Sequence, residues 1–254
     1  MDRLPRILSS SSSSCGHLHR VLYPGNRVLY VDIPPGVFDN DEDVFAPDII
    51  TILPPTIPDS ANYLEISAGF KRNFSMREMR GIPRWHARCL DILQLPIVAR
   101  YNSFVFETII DGLPAIAKYA RFEHEVDYFQ RETDVYRRLC RTDIGPRFIA
   151  HLSEAGRVIG FALEKVIGRQ AGIQDFHVAS EALQKLHSIG MRHGDVNRYN
   201  FIITETRAVL VDFSEAREDW DTKDEVDKLR EQLASADNRG YYPNAWEAIS
   251  PKNV

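Results

Sequence analysis

Short apolar runs and longer amphipathic stretches alternate along this chain, and the two patterns predict different elements. Runs rich in β-branched and aromatic residues predict strands, which lie at 21–23, 28–31, 49–53, 63–66, 104–110, 113–119, 158–164, 201–203 and 208–211. Apolar residues at helical spacing predict helices, which lie within 125–139, 179–190 and 223–234, with a shorter one over 83–93. The mixture predicts an α+β fold.

The first part of the chain carries no chemical signature. Residues 1–19 include the unbroken serine run 9–14, which has no means of building an apolar core and predicts disorder. Residues 20–94 form an extension that opens with a hairpin about the turn 24–26 and contains the charge run 39–43, which we expect to be solvated. We assign no chemistry to this extension and expect it to bind a protein partner, enlarge a sheet or cover a cleft.

Polar side chains that could hold a cation and orient a hydroxyl are concentrated in one later segment. Asp195 follows His193 and Gly194, Asn200 comes five residues after Asp195, and Asp212 comes twelve residues after Asn200. The apolar runs between Asn200 and Asp212 predict a hairpin that holds these groups at strand ends. Mg²⁺ prefers such oxygen ligands, so Asn200 and Asp212 are candidate metal ligands and Asp195 is a candidate for orienting a hydroxyl. A single aspartate in such a segment can also be only a turn former.

A lysine interrupts the apolar strand predicted after the Asp111–Gly112 turn. A buried ammonium without a partner is costly, so Lys118 requires a carboxylate nearby. The alternative is a lysine at a strand end whose ammonium reaches water. Glu125 and Glu132 lie on one face of the helix predicted next along the chain, and both are candidate partners of Lys118.

Together these motifs resemble those of the protein-kinase-like superfamily. Residues 193–200 are similar to its H-x-D-x-x-x-x-N loop, residues 212–214 to its D-F-G element, and Lys118 to the lysine of its V-A-I-K element. Gly194 stands where typical Ser/Thr kinases carry arginine. The chain is therefore more similar to aminoglycoside phosphotransferases, choline kinases and small atypical kinases, with the nearest overall likeness to fungal kinase-like proteins. The context of Glu132 resembles the family's helix αC, which favours it as the partner of the lysine.

The resemblance implies a bilobal protein-kinase-like fold within residues 95–254. Its N-lobe, 95–163, would be β-rich with one αC helix, and its C-lobe, 169–254, would be helical and reduced. The ligands implied are ATP and Mg²⁺. Ile116 would cover the purine, and backbone groups around Glu164 and Val166 would bind adenine.

The resemblance also implies a role for each polar candidate. Lys118 would hold the α- and β-phosphates, Glu132 would hold Lys118, Asn200 and Asp212 would hold Mg²⁺, and Asp195 would position the acceptor hydroxyl. The acceptor, a protein or a small molecule, is not identified by the sequence. We expect an ATP-dependent phosphotransferase.

Two departures from the family pattern leave a second function open. No glycine lies between Gly81 and Gly112, so the usual Gly-rich loop over the phosphates is absent and residues 95–103 must serve instead. Ser214 replaces the third residue of D-F-G. Both changes are compatible with a pseudokinase or scaffold that binds a nucleotide or a protein partner without turnover.

A third interpretation takes Asp195 and Asp212 as the acid and base of a hydrolase, because two carboxylates at a suitable separation can cleave glycosidic bonds. This interpretation gives no role to Asn200 or to a pairing of Lys118 with Glu132. It predicts activity that needs neither ATP nor Mg²⁺.

Composition limits the compartment and the partners. The three cysteines form no even framework, and the first residues lack the apolar core of a signal peptide. No apolar run approaches the about 18 residues that span a bilayer. A net charge of −5 and a pI near 5.9 argue against a broad nucleic-acid-binding surface. We expect a protein of the cytoplasm or the nucleus that does not associate with membranes.

Overall fold

The chain folds as a mixed α+β protein in two compact units. A computed structural model describes residues 5–37 and 46–235. The first unit contains the described residues up to Gly81 together with Arg121–His124 and Glu154–Arg157, and the second contains the remainder. The division falls after Gly81 rather than at the expected boundary between residues 94 and 95. Ile82 belongs to the second unit because its amide donates to the carbonyl of Val158 at 2.8 Å and its side chain is buried in that unit's core.

In its described part, the first unit consists of a five-stranded sheet and one α-helix. Its elements are β1 Arg6–Ser13, β2 Gly16–Tyr23, β3 Arg27–Ile33, α1 Ala46–Ile52, β4 Tyr63–Ser67 and β5 Lys71–Ser75. The strands follow chain order across the sheet, and all neighbours are antiparallel except β3 and β4. The predicted hairpin of β2 and β3 is confirmed, with Gly25 and Asn26 both at positive φ in its turn. Ile49 of α1 is buried among the apolar residues of the sheet.

Two predictions for the first unit are wrong. The serine run is not disordered over its described residues, because β1 pairs with the more apolar β2 along its length. Its hydroxyls also bond across the pair, as between Oγ of Ser10 and Nδ1 of His19 at 2.8 Å. Hydrogen bonds to β2 therefore hold this strand in place without an apolar core of its own. Residues 49–53 do not form a strand, since 46–52 are helical. The charge run 39–43 lies outside the described residues.

Over its described residues, the second unit contains one larger sheet, two small sheets and three α-helices. Its elements are β6 Cys89–Asp91, β7 Ala99–Arg100, β8 Val105–Ile110, β9 Leu113–Tyr119, α2 Val126–Leu139, β10 Phe148–Glu154, β11 Arg157–Glu164, β12 Arg169–Gln170, α3 Phe176–Ser188, β13 Met191–Arg192, β14 Phe201–Ile203, β15 Ala208–Leu210, β16 Arg217–Glu218 and α4 Lys223–Ala234. The six-stranded sheet has the order β6-β10-β11-β9-β8-β7, with only β6 and β10 parallel among the pairs described. The smaller sheets are β12-β14-β15 and β13-β16.

The predicted hairpin of β8 and β9 and the three longer helices are confirmed. One prediction fails: residues 83–93 do not form a helix, but run extended into β6 and a 3₁₀ turn at Ile92–Gln94. The sheet captures this segment, since β6 pairs with β10 and the ring of Trp85 lies 4.4 Å from that of Phe148. Tertiary pairing therefore overrides the local helical spacing.

The two faces of the six-stranded sheet contribute to different apolar clusters. Phe106, Ala115 and Ala117 lie in one cluster, whereas Val105, Ile116 and Leu163 lie in the larger one, which also includes residues of α2, α3, α4 and the β14–β15 hairpin. The alternation follows the two-residue period of strands. None of the helices in the described ranges combines the length and apolar character needed to cross a bilayer.

Candidate functional site

Lys118 is buried on the inner face of β9 and is held by a carboxylate from α2. Its Nζ donates to Oε1 of Glu132 at 2.8 Å and to Oε2 at 3.1 Å, with 8% of the lysine side chain and 0% of the glutamate side chain exposed. Glu132, rather than Glu125, is therefore the partner. Glu125 lies in the 3₁₀ turn that precedes α2. Burial acts to lower the pKa of Lys118, but the carboxylates of Asp212 and Glu132 outweigh it and raise that pKa above its ordinary value.

The same ammonium contacts a second carboxylate from a distant part of the chain. Nζ of Lys118 donates to Oδ1 of Asp212 at 3.0 Å. Lys118 holds the pKa of the Asp212 carboxyl below its ordinary value, so this side chain, 39% exposed, is an anion at neutral pH. The backbone of Asp212 has φ +62°, a conformation that non-glycine residues rarely adopt and that concentrates at functional sites.

Asp195 is oriented by two amide side chains. Its Oδ2 accepts from Nδ2 of Asn197 at 3.0 Å and from Nδ2 of Asn200 at 3.0 Å. Nδ2 of Asn200 also donates to the backbone carbonyl of Asp195 at 2.9 Å. All hydrogen bonds to this carboxylate from the described residues reach Oδ2, so Oδ1 is left for another donor.

The β14–β15 hairpin joins the loop of Asp195 to the segment of Asp212. The amide of Val211 donates to the carbonyl of Asn200 at 3.0 Å, and Nε2 of His193 lies 3.2 Å from the carbonyl oxygen of Val211. Burial lowers the pKa of His193, so its ring is neutral at neutral pH and Nε2 carries the proton that reaches this carbonyl. His193 therefore ties the loop of Asp195 to the backbone just before Asp212.

Aromatic rings in tilted and edge-to-face contact continue from this histidine through the core of the second unit. The ring centroid of His193 lies 5.3 Å from that of Phe213, and Phe213 lies 5.4 Å from Tyr136 of α2. Tyr136 in turn contacts Phe161 at 5.7 Å. These ring contacts link the loop of Asp195, the segment after β15, helix α2 and the six-stranded sheet. Because the interior is closely packed, displacement of one of these elements disturbs the others.

Gly194 is required by the backbone that surrounds it. Its φ is +82°, and a Cβ at this position would lie 2.1 Å from the carbonyl oxygen of Glu215. Any larger side chain at this position, including arginine, would meet the same obstruction. The segment after Asp212 thus packs directly on the Asp195 loop.

Glu225 of α4 is a functional residue that the sequence analysis missed. Its buried carboxylate accepts from the amides of His193 at 3.0 Å and Gly194 at 2.8 Å, and lies 2.9 Å from Nε2 of His187. Burial acts to raise the pKa of Glu225, but the hydrogen bonds from His187 and the two amides lower it to about 2. The available signal was a glutamate on the apolar stripe of α4, one position before Val226.

The residues expected to surround a purine lie on β9, at the end of β11 and just after β11. Ile116 is fully buried on the same face of β9 as Lys118. The side chain of Glu164 is exposed and pairs with Arg147 at 3.2 Å, while Val166 is 8% exposed. The amides of Glu164 and Lys165 already donate within the protein, and the backbone hydrogen bonds of the described ranges do not engage the amide of Val166.

The segment 95–103, which is expected from the sequence to lie over the phosphates, contains the short strand β7 followed by a turn. β7 pairs with β8, and the amides of Tyr101 and Asn102 both donate to the carbonyl of Val105. Oδ1 of Asn102 accepts from the amide of Phe104 at 2.8 Å. The turn is therefore closed by its own hydrogen bonds.

The protein supplies only part of the set of oxygen ligands that a divalent cation needs. In the described ranges no group of three or more His, Cys, Asp and Glu side chains could hold a metal ion. Asn200 and Asp212 nevertheless offer an amide oxygen and a carboxylate. Nδ2 of Asn200 is occupied by Asp195, which leaves its Oδ1 to act as the acceptor, and Asp212 is ionised. This set suits Mg²⁺, which commonly binds one or two protein groups together with phosphate oxygens.

No protein-family model matches this chain, and no curated protein sequence matches it significantly.

Proposed function

We propose that this chain is an atypical kinase-like phosphotransferase that transfers the γ-phosphate of ATP to a hydroxyl acceptor. In this proposal the six-stranded sheet with α2 would be a kinase-like N-lobe, and α3, α4 and the small sheets would be a reduced C-lobe. The observation that carries the proposal is the simultaneous contact of Nζ of Lys118 with Glu132 and Asp212. A strand lysine, a helix glutamate and an aspartate 94 residues along the chain meet at one point, which is the set of side chains that kinase-type phosphoryl transfer uses.

Each side chain then has a definable task. Lys118, kept charged by its two carboxylates, attracts the α- and β-phosphates, and Glu132 fixes its position. Asp195 receives the hydrogen bond of the acceptor hydroxyl at Oδ1, because its Oδ2 is occupied by Asn197 and Asn200. The acceptor oxygen attacks the γ-phosphorus, the bond from that phosphorus to the β-bridging oxygen breaks, and the hydroxyl proton passes to Asp195.

Asn200 and Asp212 would hold Mg²⁺, which supplies neutralisation of phosphate charge when bound. The low pKa of Asp212 supports this role, since the carboxylate remains an anion over the whole physiological range. Nζ of Lys118 donates to Oδ1 of Asp212, so a cation held by Asp212 would bind beside this ammonium.

A nucleotide-binding protein without turnover is the second candidate. The observation that favours it is the turn at Tyr101–Phe104, whose side chains and internal hydrogen bonds keep the backbone from close approach to phosphate. The two candidates share ligands and differ only in the release of ADP.

An ATP·Mg²⁺ titration followed by thermal unfolding tests the proposal. Ligand at a hundredfold excess over its dissociation constant adds about 2.7 kcal/mol to stability, so the parent protein is expected to unfold at a higher temperature. Lys118→Met and Asp212→Asn are expected to lose the shift. ADP release in the presence of hydroxyl acceptors then separates turnover from binding, and no shift in the parent protein would overturn the proposal.

A further inference from the structure

The sheet face that presents Lys118 carries one other buried charge. Val105 and Ile116 share this face with Lys118, and the register of β8 against β9 places Glu107 directly opposite Ile116. Leu163 of β11 pairs with Ile116 on its other side. Glu107 is 8% exposed, so a carboxylate is buried among apolar neighbours. A buried carboxylate needs both a counter-charge and hydrogen bonds.

Two side chains satisfy Glu107, and they come from both sides of it. Nζ of Lys165, in the segment after β11, donates to Oε2 of Glu107 at 2.7 Å, and each of these two side chains is 10% exposed. The hydroxyl of Tyr101, in the turn after β7, donates to the same oxygen at 2.7 Å. We call these three residues the polar clasp. The polar clasp connects the turn after β7 to the segment that follows β11.

The inference drawn from the polar clasp rests on the proposed function. With the phosphates at Lys118, the base must extend along the same face past Ile116 toward the amide of Val166. Glu107 lies opposite Ile116 and Lys165 precedes Val166, so the polar clasp occupies this path. Ile116 is fully buried and offers a purine no accessible surface.

We propose that the polar clasp closes the base end of the cleft, so that the protein recognises its ligand by the polyphosphate and admits the base only when the pair of Glu107 and Lys165 opens. Purine rings bind between apolar surfaces, and a carboxylate paired with an ammonium is a poor substitute for one. The phosphate end, with Lys118 and Asp212, does not depend on the polar clasp. Binding of the base is therefore offset by the breaking of a buried ion pair.

The test compares Mg²⁺-tripolyphosphate with MgATP by calorimetry on the parent protein and on Glu107→Leu/Lys165→Met. Apolar replacement of both partners of a buried pair is neutral or stabilising, and thermal unfolding checks this. The parent is expected to bind the two probes with dissociation constants within about threefold of each other. The double variant is expected to bind MgATP at least about tenfold more tightly, with tripolyphosphate unchanged.

Asp143→Asn/Lys185→Gln is the matched control, because it removes an exposed ion pair without changing net charge. It is expected to leave both dissociation constants unchanged. Glu107→Gln, which keeps the size and removes the charge, replaces the double variant if that variant does not fold, and is expected to change the ratio of the two constants in the same direction. The proposed role of the polar clasp alone would be overturned by either of two results. One is a parent protein that already binds MgATP tenfold more tightly than Mg²⁺-tripolyphosphate, and the other is a ratio of the two dissociation constants that is unchanged in the variants. Binding of neither probe to any of the proteins would remove the proposed function as well.

Discussion

Nζ of Lys118 lies 2.8 Å from Oε1 of Glu132, in a place where neither side chain is more than 8% exposed. The pair joins β9 to the helix that follows it. A buried pair of this kind is costly to desolvate, and its mutual attraction repays the cost only when the geometry is good and further hydrogen bonds are present. Lys118 has that further bond, to Asp212. The pairing of Lys118 with Glu132 is therefore better evidence for function than for stability, because well-packed apolar residues in the same places could stabilise the fold as well.

The first prediction compares replacement of Lys118 alone with replacement of Lys118 and Glu132 together. Lys118→Met leaves Glu132 buried without its counter-charge, and we expect it to lower the free energy of unfolding by about 3–5 kcal/mol. Lys118→Met/Glu132→Leu removes both charges and is expected to be more stable than the single variant. Urea denaturation measures both values, and all such variants are expected to lose the thermal shift with MgATP.

An additive result would contradict this account. If the double variant loses the sum of two single-variant losses, with Glu132→Leu as the second, the two side chains do not act as a pair.

The second prediction separates the chemistry of Asp195 from its place in the fold. Asp195→Asn keeps the size of the side chain and an oxygen that accepts from Asn197 and Asn200, so we expect unfolding to change by less than about 1 kcal/mol. Removal of a group that accepts a proton in the transition state costs about 10²–10⁴-fold in rate. ADP release with a hydroxyl acceptor is expected to fall by that factor while MgATP binding persists. Unchanged turnover would exclude Asp195 from the reaction.

The third prediction uses two glycines with nearly the same backbone conformation. Gly194 and Gly112 have φ of +82° and +79°, but a Cβ on Gly112 meets nothing within 4 Å, whereas one on Gly194 meets the carbonyl of Glu215 at 2.1 Å. Gly112→Ala is expected to cost only the left-handed conformation, about 1–2 kcal/mol. Gly194→Ala must in addition displace the backbone after Asp212, and we expect a larger loss of stability and of MgATP binding. Equal losses in the two variants would show that the contact with Glu215 is unimportant.

The elements that the sequence predicts well are those whose local pattern and tertiary role agree. The Asp111–Gly112 turn between two apolar strands predicts the hairpin of β8 and β9, and the glutamate on the buried face of α2 meets Lys118 as expected. The hairpin between Asn200 and Asp212 also forms. In these cases the short-range signal and the final packing require the same residues.

Predictions fail where pairing with a distant strand decides the local structure. The serine strand β1 has no apolar signal of its own and depends on β2, and residues 83–93 follow β10 rather than their own helical spacing. Glu225 and Glu107 were missed for a related reason. A glutamate in an amphipathic sequence is ordinarily solvated, and only the three-dimensional position of His193 or Lys165 shows that its carboxylate is used inside the protein.

The last prediction concerns the dependence of stability on pH through Glu225. Its folded-state pKa of about 2 lies below the ordinary value of 4.5, because its carboxylate accepts hydrogen bonds from His187 and the amides of the Asp195 loop. A carboxyl with a depressed pKa binds fewer protons in the folded state, so its contribution is complete above pH 4.5 and is lost as the pH falls toward 2. The size of this contribution is on the order of 3 kcal/mol.

Glu225→Gln isolates the effect. At pH 7 we expect this variant to unfold about 2–3 kcal/mol more easily than the parent, because a neutral amide is a weaker acceptor for two backbone amides at once. Between pH 4.5 and 2 this carboxyl binds a proton in the unfolded parent while it stays ionised in the folded parent, so the difference in stability between the two proteins is expected to shrink. Glu231→Gln is the matched control: Glu231 is exposed on the same helix, and we expect its replacement to change the free energy of unfolding by less than about 0.5 kcal/mol. A constant difference between the parent and Glu225→Gln down to pH 2 would mean that the charge of Glu225 does not hold the Asp195 loop.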